Sequence, residues 1–246
     1  MESLHLAIKD TKPARPLFRA FQGRFVAQMP ALLADNRTPL TFADLIYRSC
    51  VVWGDEARAK VDKASPPEEI EAIVDIARNM GNNFYTGTAV LNKDNEYRVV
   101  DKHPDLLQVT PKTRLVGGAI PLDNMQWANA ADAPGFTLEE AQKAGLQERL
   151  SAYRILRHPV WAKTVPVNLL QGYVDLFFNK YDLSKGMAVY LPQPRLKPTL
   201  RALCLSSGGS WRALFDGSKI FGTDLARYLI GLDKNIIFET VLGDYT

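Results

Sequence analysis

An α+β fold is what this sequence predicts, with mixed, mainly antiparallel strands and helices clustered in the C-terminal half. Three observations carry the expectation. Period-two and hairpin patterns come early, helical spacing gathers later, and no run of strand–helix–strand crossovers supports a doubly wound sheet. With 246 residues, 46% of them apolar and 23% charged, the chain buries a core without disulfide or metal staples. That balance excludes wholesale disorder, collagen and coiled-coil rods.

In chain order, Leu4, Leu6 and Ile8 alternate with His5, Ala7 and Lys9, as the residues of a half-buried strand do. Pro13 and Pro16 then lead an extended segment into residues 18–25. Thr41 with Asp44 three residues on is a capping pair ahead of Leu45-Ile46-Tyr47, which predicts a helix over 42–53. Ser65-Pro66-Pro67-Glu68-Glu69 starts a second helix, since serine caps, proline suits the first turn and the glutamates oppose the positive dipole end. Ile70, Ile73, Val74, Ala77 and Met80 continue it to a stop at Gly81. Residues 84–91 and 96–100 flank Asn92-Lys93-Asp94-Asn95 as a hairpin. Residues 114–120 read as a strand with a bulge-prone pair, Gly117-Gly118.

Residues 123–136, rich in Asn, Ala and Asp, read as a boundary between an N-terminal half at 1–122 and a basic half at 137–246. A single continuous domain is the alternative. Beyond it, Thr137 caps a short helix that Gly145 stops, and a second helix spans 147–156 up to His158-Pro159. A third covers 166–181, with Leu169, Leu170, Tyr173, Phe177 and Tyr181 on one stripe. Strands at 187–191 and 199–205 follow, separated by the proline-spaced residues 192–198. Thr223-Asp224 caps a short helix to Ile230, and 236–242 is a last strand.

Cys50 and Cys204 lie far apart in apolar runs, as buried thiols do, and no C-x-x-C spacing offers a zinc site. His5, His103 and His158 are scattered, without H-E-x-x-H or a triad context, so neither metal nor cofactor is expected. His158 reads as a helix-end residue rather than a catalytic base. The N-terminal residues lack a secretory pattern and no apolar run spans a bilayer, so a soluble, cytoplasmic chain without a membrane partner is the expectation.

Charge is the unusual feature. Net charge is +3, but residues 149–215 carry ten basic and two acidic side chains, whereas 25–148 carry 12 basic and 18 acidic. The basic stretch either pairs with the acidic middle or faces a polyanion or an acidic protein. The second outcome leads to the expected function, a non-catalytic subunit that binds RNA or single strands within a larger assembly. Arg15, Arg19, Arg24, Arg149, Arg154, Arg157, Arg195, Lys197 and Arg201 would meet phosphates, and Phe18, Phe21 and Trp161 would offer stacking faces. Docking on an acidic protein partner is the structural alternative.

An enzymatic alternative rests on Ser206-Ser207-Gly208-Gly209-Ser210 with Arg212. There, backbone amides at a strand-to-helix turn would cradle the phosphate of a small molecule and Arg212 would supply a fork to it. The turn lacks the spacing of either phosphate-binding glycine motif, and a plain hairpin turn is the competing reading.

Overall fold

The computed structural model describes residues 18–47, 50, 83–180, 187–208, 211–215 and 227–233. The elements expected at 4–8, 66–80 and 236–242 lie outside these residues, as does residue 15.

The fold is α+β. Among the described residues, ten strands join one sheet: β1 (Phe18–Gly23), β2 (Arg37–Pro39), β3 (Asn83–Lys93), β4 (Glu96–Asp101), β5 (Ile120–Pro121), β6 (Gly135–Thr137), β7 (Met187–Val189), β8 (Thr199–Gly208), β9 (Trp211–Phe215) and β10 (Arg227–Asp233). The main path runs β1-β10-β3-β8-β9-β7; β2 joins β10, β5 joins β8, and β4 bridges β3 to β6. The β10–β3 and β7–β9 pairs are parallel and the remainder antiparallel. The sheet therefore draws strands from both sides of the segment at 123–136.

Strand alternation sends successive side chains to opposite faces, and both faces are covered. Val90, Leu203 and Leu205 pack against Phe42, Ile46, Ile155, Trp161, Leu170 and Tyr173. From the same two strands, Ala89, Leu91, Leu200 and Ala202 pack instead against Met29, Leu32, Leu106 and Trp127. The result is three layers, with the later helices on one side of the sheet and helix Phe25–Ala34 on the other.

Local chemistry explains most elements. Thr41 and Asp44 exchange hydrogen bonds at 2.9 and 3.1 Å, the capping box expected ahead of the helix that begins at 42. Thr137 and Glu140 form another before helix Leu138–Ala144, and the bond from the Thr137 N–H holds the Glu140 carboxyl below its ordinary value. Gly145 ends that helix at φ 114°, a conformation side chains rarely adopt. The hairpin of β3 and β4 closes through Asp94-Asn95, a tighter loop than the sequence suggests, with Asp94 left-handed at φ 52°.

Four expectations are corrected. The helix drawn to Ile230 is strand β10 from Arg227 onward, held between β1 and β3; pairing on both edges outweighs a local cap signal. Helix Ala152–Arg157 starts five residues later than expected, because Gln147 is left-handed (φ 58°) and its N–H donates to the Val189 carbonyl at 2.9 Å. Residues 116–119 form a turn rather than a strand. Gly117 (φ 58°) and Gly118 (φ 78°) close it between Val116 and Ala119, both residues left-handed as a type I′ turn demands. Residues 18–25, expected as one extended segment, give way at Phe25 to a helix that runs to Ala34; it accommodates Pro30, and burial of Met29 and Leu32 at 0% exposure sustains it.

Candidate binding surface at the loop-bearing end

The β3–β4 turn, residues 110–122 and residues 190–198 meet at one end of the sheet. Residues 192–198 contain three prolines and form no regular element, yet their backbone is pinned at four carbonyls. The buried Tyr97 hydroxyl donates to the Pro192 carbonyl at 2.7 Å, and the Asn92 amide donates to that of Gln193 at 3.2 Å. The Asp94 N–H donates to the Arg195 carbonyl at 2.7 Å and the Leu122 N–H to that of Pro198 at 3.0 Å. Thr199 donates its hydroxyl to the Asn92 carbonyl oxygen, which fixes the amide so that its nitrogen faces Gln193. Tyr97 is itself held by stacking on Phe136, centroids 5.2 Å apart.

This loop presents rather than buries an apolar side chain: Leu196 is 86% exposed, between Arg195 and Lys197. Beside it stands the glycine turn. Arg195 lies over the Gly117 α-carbon, so close that a β-carbon there would sit 2.5 Å from Nη2. Leu115 and Val116, on the entry to that turn, are also exposed, as are Lys112 and Arg114. Among the described residues no carboxylate pairs with Lys112, Arg114, Arg195 or Lys197. The acids at this end are engaged or outnumbered: Glu96 pairs with Arg98 at 3.7 Å, Asp123 caps a helix through Gln126, and Asp94 sits in the hairpin turn.

The other expected cations are dispersed. Arg19 reaches Asp35 at 3.2 Å, and Asp35 also takes a 2.7 Å bond from the buried Arg37, which with Arg19 keeps its carboxyl below the usual range. Arg24 is the exposed N-cap of helix Phe25–Ala34, and Arg149 is exposed. Arg154 binds Glu148 and the Ala144 carbonyl, each at 2.7 Å, and Arg157 stacks on Tyr153 at 3.7 Å. Arg201 is 6% exposed on the helix-covered face of β8, so it is not placed for phosphate contact at the surface. Trp161 is corrected likewise: it is fully buried, 5.4 Å from Phe42 and 6.1 Å from Tyr173 between ring centroids, and offers no stacking face. Phe21 is half-buried against the second core, and Phe18 lies in β1 opposite Leu232.

Ser206, Ser207 and Gly208 are the end of strand β8, paired with Ala213, Arg212 and Trp211 of β9. The chain continues after the glycines as a strand, so the helix start that the phosphate-cradle reading requires is absent there. Gly209 and Ser210 lie outside the described residues. Among the described residues no group of three or more His, Cys, Asp or Glu converges, and no helix is long and apolar enough to cross a membrane.

Sequence reasoning found Arg195 and Lys197 but missed Lys112, Arg114, Leu115, Val116 and Leu196. One signal was available: no acid occurs between Asp105 and Asp123, as none occurs from 183 to 215 inside the basic stretch.

The fold is similar to that of a solved structure with the C-type lectin fold. That structure is described as accommodation of massive sequence variation in Nanoarchaeota by the C-type lectin fold. The match covers 89% of this chain and 99% of that one, with a TM-score of 0.60 and 14% sequence identity. No protein-family model and no curated protein matches the sequence.

Proposed function

We propose that this protein is a non-catalytic recognition module that takes an anionic macromolecular partner at its loop-bearing end. One observation carries the reading: Lys112, Arg114, Arg195 and Lys197 share that end without carboxylate partners among the described residues. Cations without a home carboxylate give up no ion pair on binding, and the pinned backbone of residues 192–198 has little loop freedom to lose. The neighbouring C-type lectin structure, described as accommodating massive sequence variation, supports the same reading. A fold that accommodates sequence variation suits recognition better than a fixed catalytic constellation.

The test is a salt titration with a charge reversal. Fluorescent poly-glutamate should bind at low ionic strength and weaken steeply as salt rises. The double variant R195E/K197E should lose at least tenfold in affinity, while R154E does not. Flat salt dependence, or equal losses in the two variants, overturns the reading.

A further inference from the structure

Charge alone does not explain why Leu196 is held in water. A residue on a slack loop is exposed by default, but residues 192–198 are tied down by side chains from β3 and β4 and by two backbone amides. That much bonding fixes the direction in which Leu196 points, at 86% exposure. Leu115 and Val116 extend the apolar surface from the adjoining turn, at 40% and 41% exposure. Arg195 and Lys197 flank the apex, and Lys112 and Arg114 lie just before the turn.

From this arrangement we infer that the partner is a protein surface whose apolar pocket receives Leu196 and whose rim carries carboxylates. The inference rests on the anion-binding reading above and narrows it. Charge complementarity sets the rim: four cations without a carboxylate partner among the described residues are matched by acidic side chains opposite them. The aliphatic apex sets the centre. Nucleic acid supplies phosphates but gains little from leucine and valine, whereas it gains from aromatic stacking faces, and Trp161 is in the core. A protein pocket gains from the apolar area itself, and a preorganised knob needs no ordering on contact.

Three probes separate these outcomes: a random glutamate–tyrosine copolymer, poly-glutamate and single-stranded poly(U), each fluorescently labelled and titrated with the full chain. All are polyanions, and the first alone combines carboxylates with apolar side chains on a polypeptide. The copolymer should bind about tenfold tighter than poly-glutamate. L196S should erase that advantage while leaving poly-glutamate binding unchanged, and R195E/K197E should weaken both. Leu196 is exposed, so L196S should melt at the wild-type temperature, which a thermal scan checks. If L196S has no effect, or poly(U) binds as tightly as the copolymer, the protein-pocket inference is overturned while anion binding stands. If no probe binds at low salt, both fall.

Discussion

Acid should weaken the helical layer through one buried histidine. His158 has no exposed surface and joins helix Ala152–Arg157 to helix Pro159–Thr164. Its Nδ1 accepts the Val160 N–H at 3.3 Å, so the ring proton resides on Nε2, which donates to the Gly145 carbonyl at 3.0 Å. Both nitrogens are satisfied only in the neutral ring; a second proton would aim Nδ1–H at an N–H. Burial is the main cause that holds its pKa down to about 4, the Gly145 bond opposing it and the Arg154 charge assisting.

In the unfolded chain this histidine takes up its proton near pH 6.5. The unfolded state thus binds more protons between that value and about 4. The stability contributed by the neutral ring is present above pH 6.5 and is lost as pH falls through that window. At about 1.4 kcal/mol per pH unit, the loss reaches ~3 kcal/mol near pH 4. Urea unfolding of the wild type and His158→Asn, followed by circular dichroism from about pH 7 to about pH 4, isolates it. Asparagine keeps an acceptor for Val160 but does not titrate. His103, also lowered by burial, and Asp101, raised by it, cancel in the difference between the two proteins. The wild type should lose ~2–3 kcal/mol more than the variant over this range; parallel curves would refute the reasoning.

Three further substitutions test the packing. Gly145→Ala puts a β-carbon against Glu148, Arg154 and the buried Leu150 at a φ of 114°, and should cost about 2–4 kcal/mol in chemical denaturation. Trp161→Ala empties a fully buried site and should destabilise the protein by about 3–5 kcal/mol, whereas a surface stacking residue would cost almost nothing. Gly117→Ala strains a residue at φ 58° and displaces only the flexible end of Arg195. A cost of about 1–2 kcal/mol is expected, measured as a lower melting temperature.

The fold class was legible where a residue's role is local. Thr41, Thr137 and Gly145 act on the chain within a turn of themselves, and the hairpin alternation from 84 to 100 is set by neighbours, so each reads directly from sequence. What was hidden depends on distant partners. β10 is a strand because β1 and β3 flank it, although β1 lies some two hundred positions earlier in the chain. Trp161 and Arg201 were read as surface residues because the whole stretch 149–215 is rich in basic side chains, although their immediate sequence neighbours are apolar and their neighbours in space are Phe42, Tyr173 and Val90. The candidate site followed the same logic. The basic excess over 149–215 drew attention to Arg195 and Lys197, but only the bonds from Asn92, Asp94, Tyr97 and Leu122 reveal that Leu196 is fixed outward.

Lysine acetylation footprinting in the presence of the glutamate–tyrosine copolymer locates the contact directly. Lys112 and Lys197, at the pinned end, should fall in reactivity as the copolymer saturates the protein. Lys143 and Lys163, exposed on the helical layer, should react as they do in the free chain. Protection of Lys143 and Lys163 with Lys112 and Lys197 unchanged would place binding elsewhere and contradict the account.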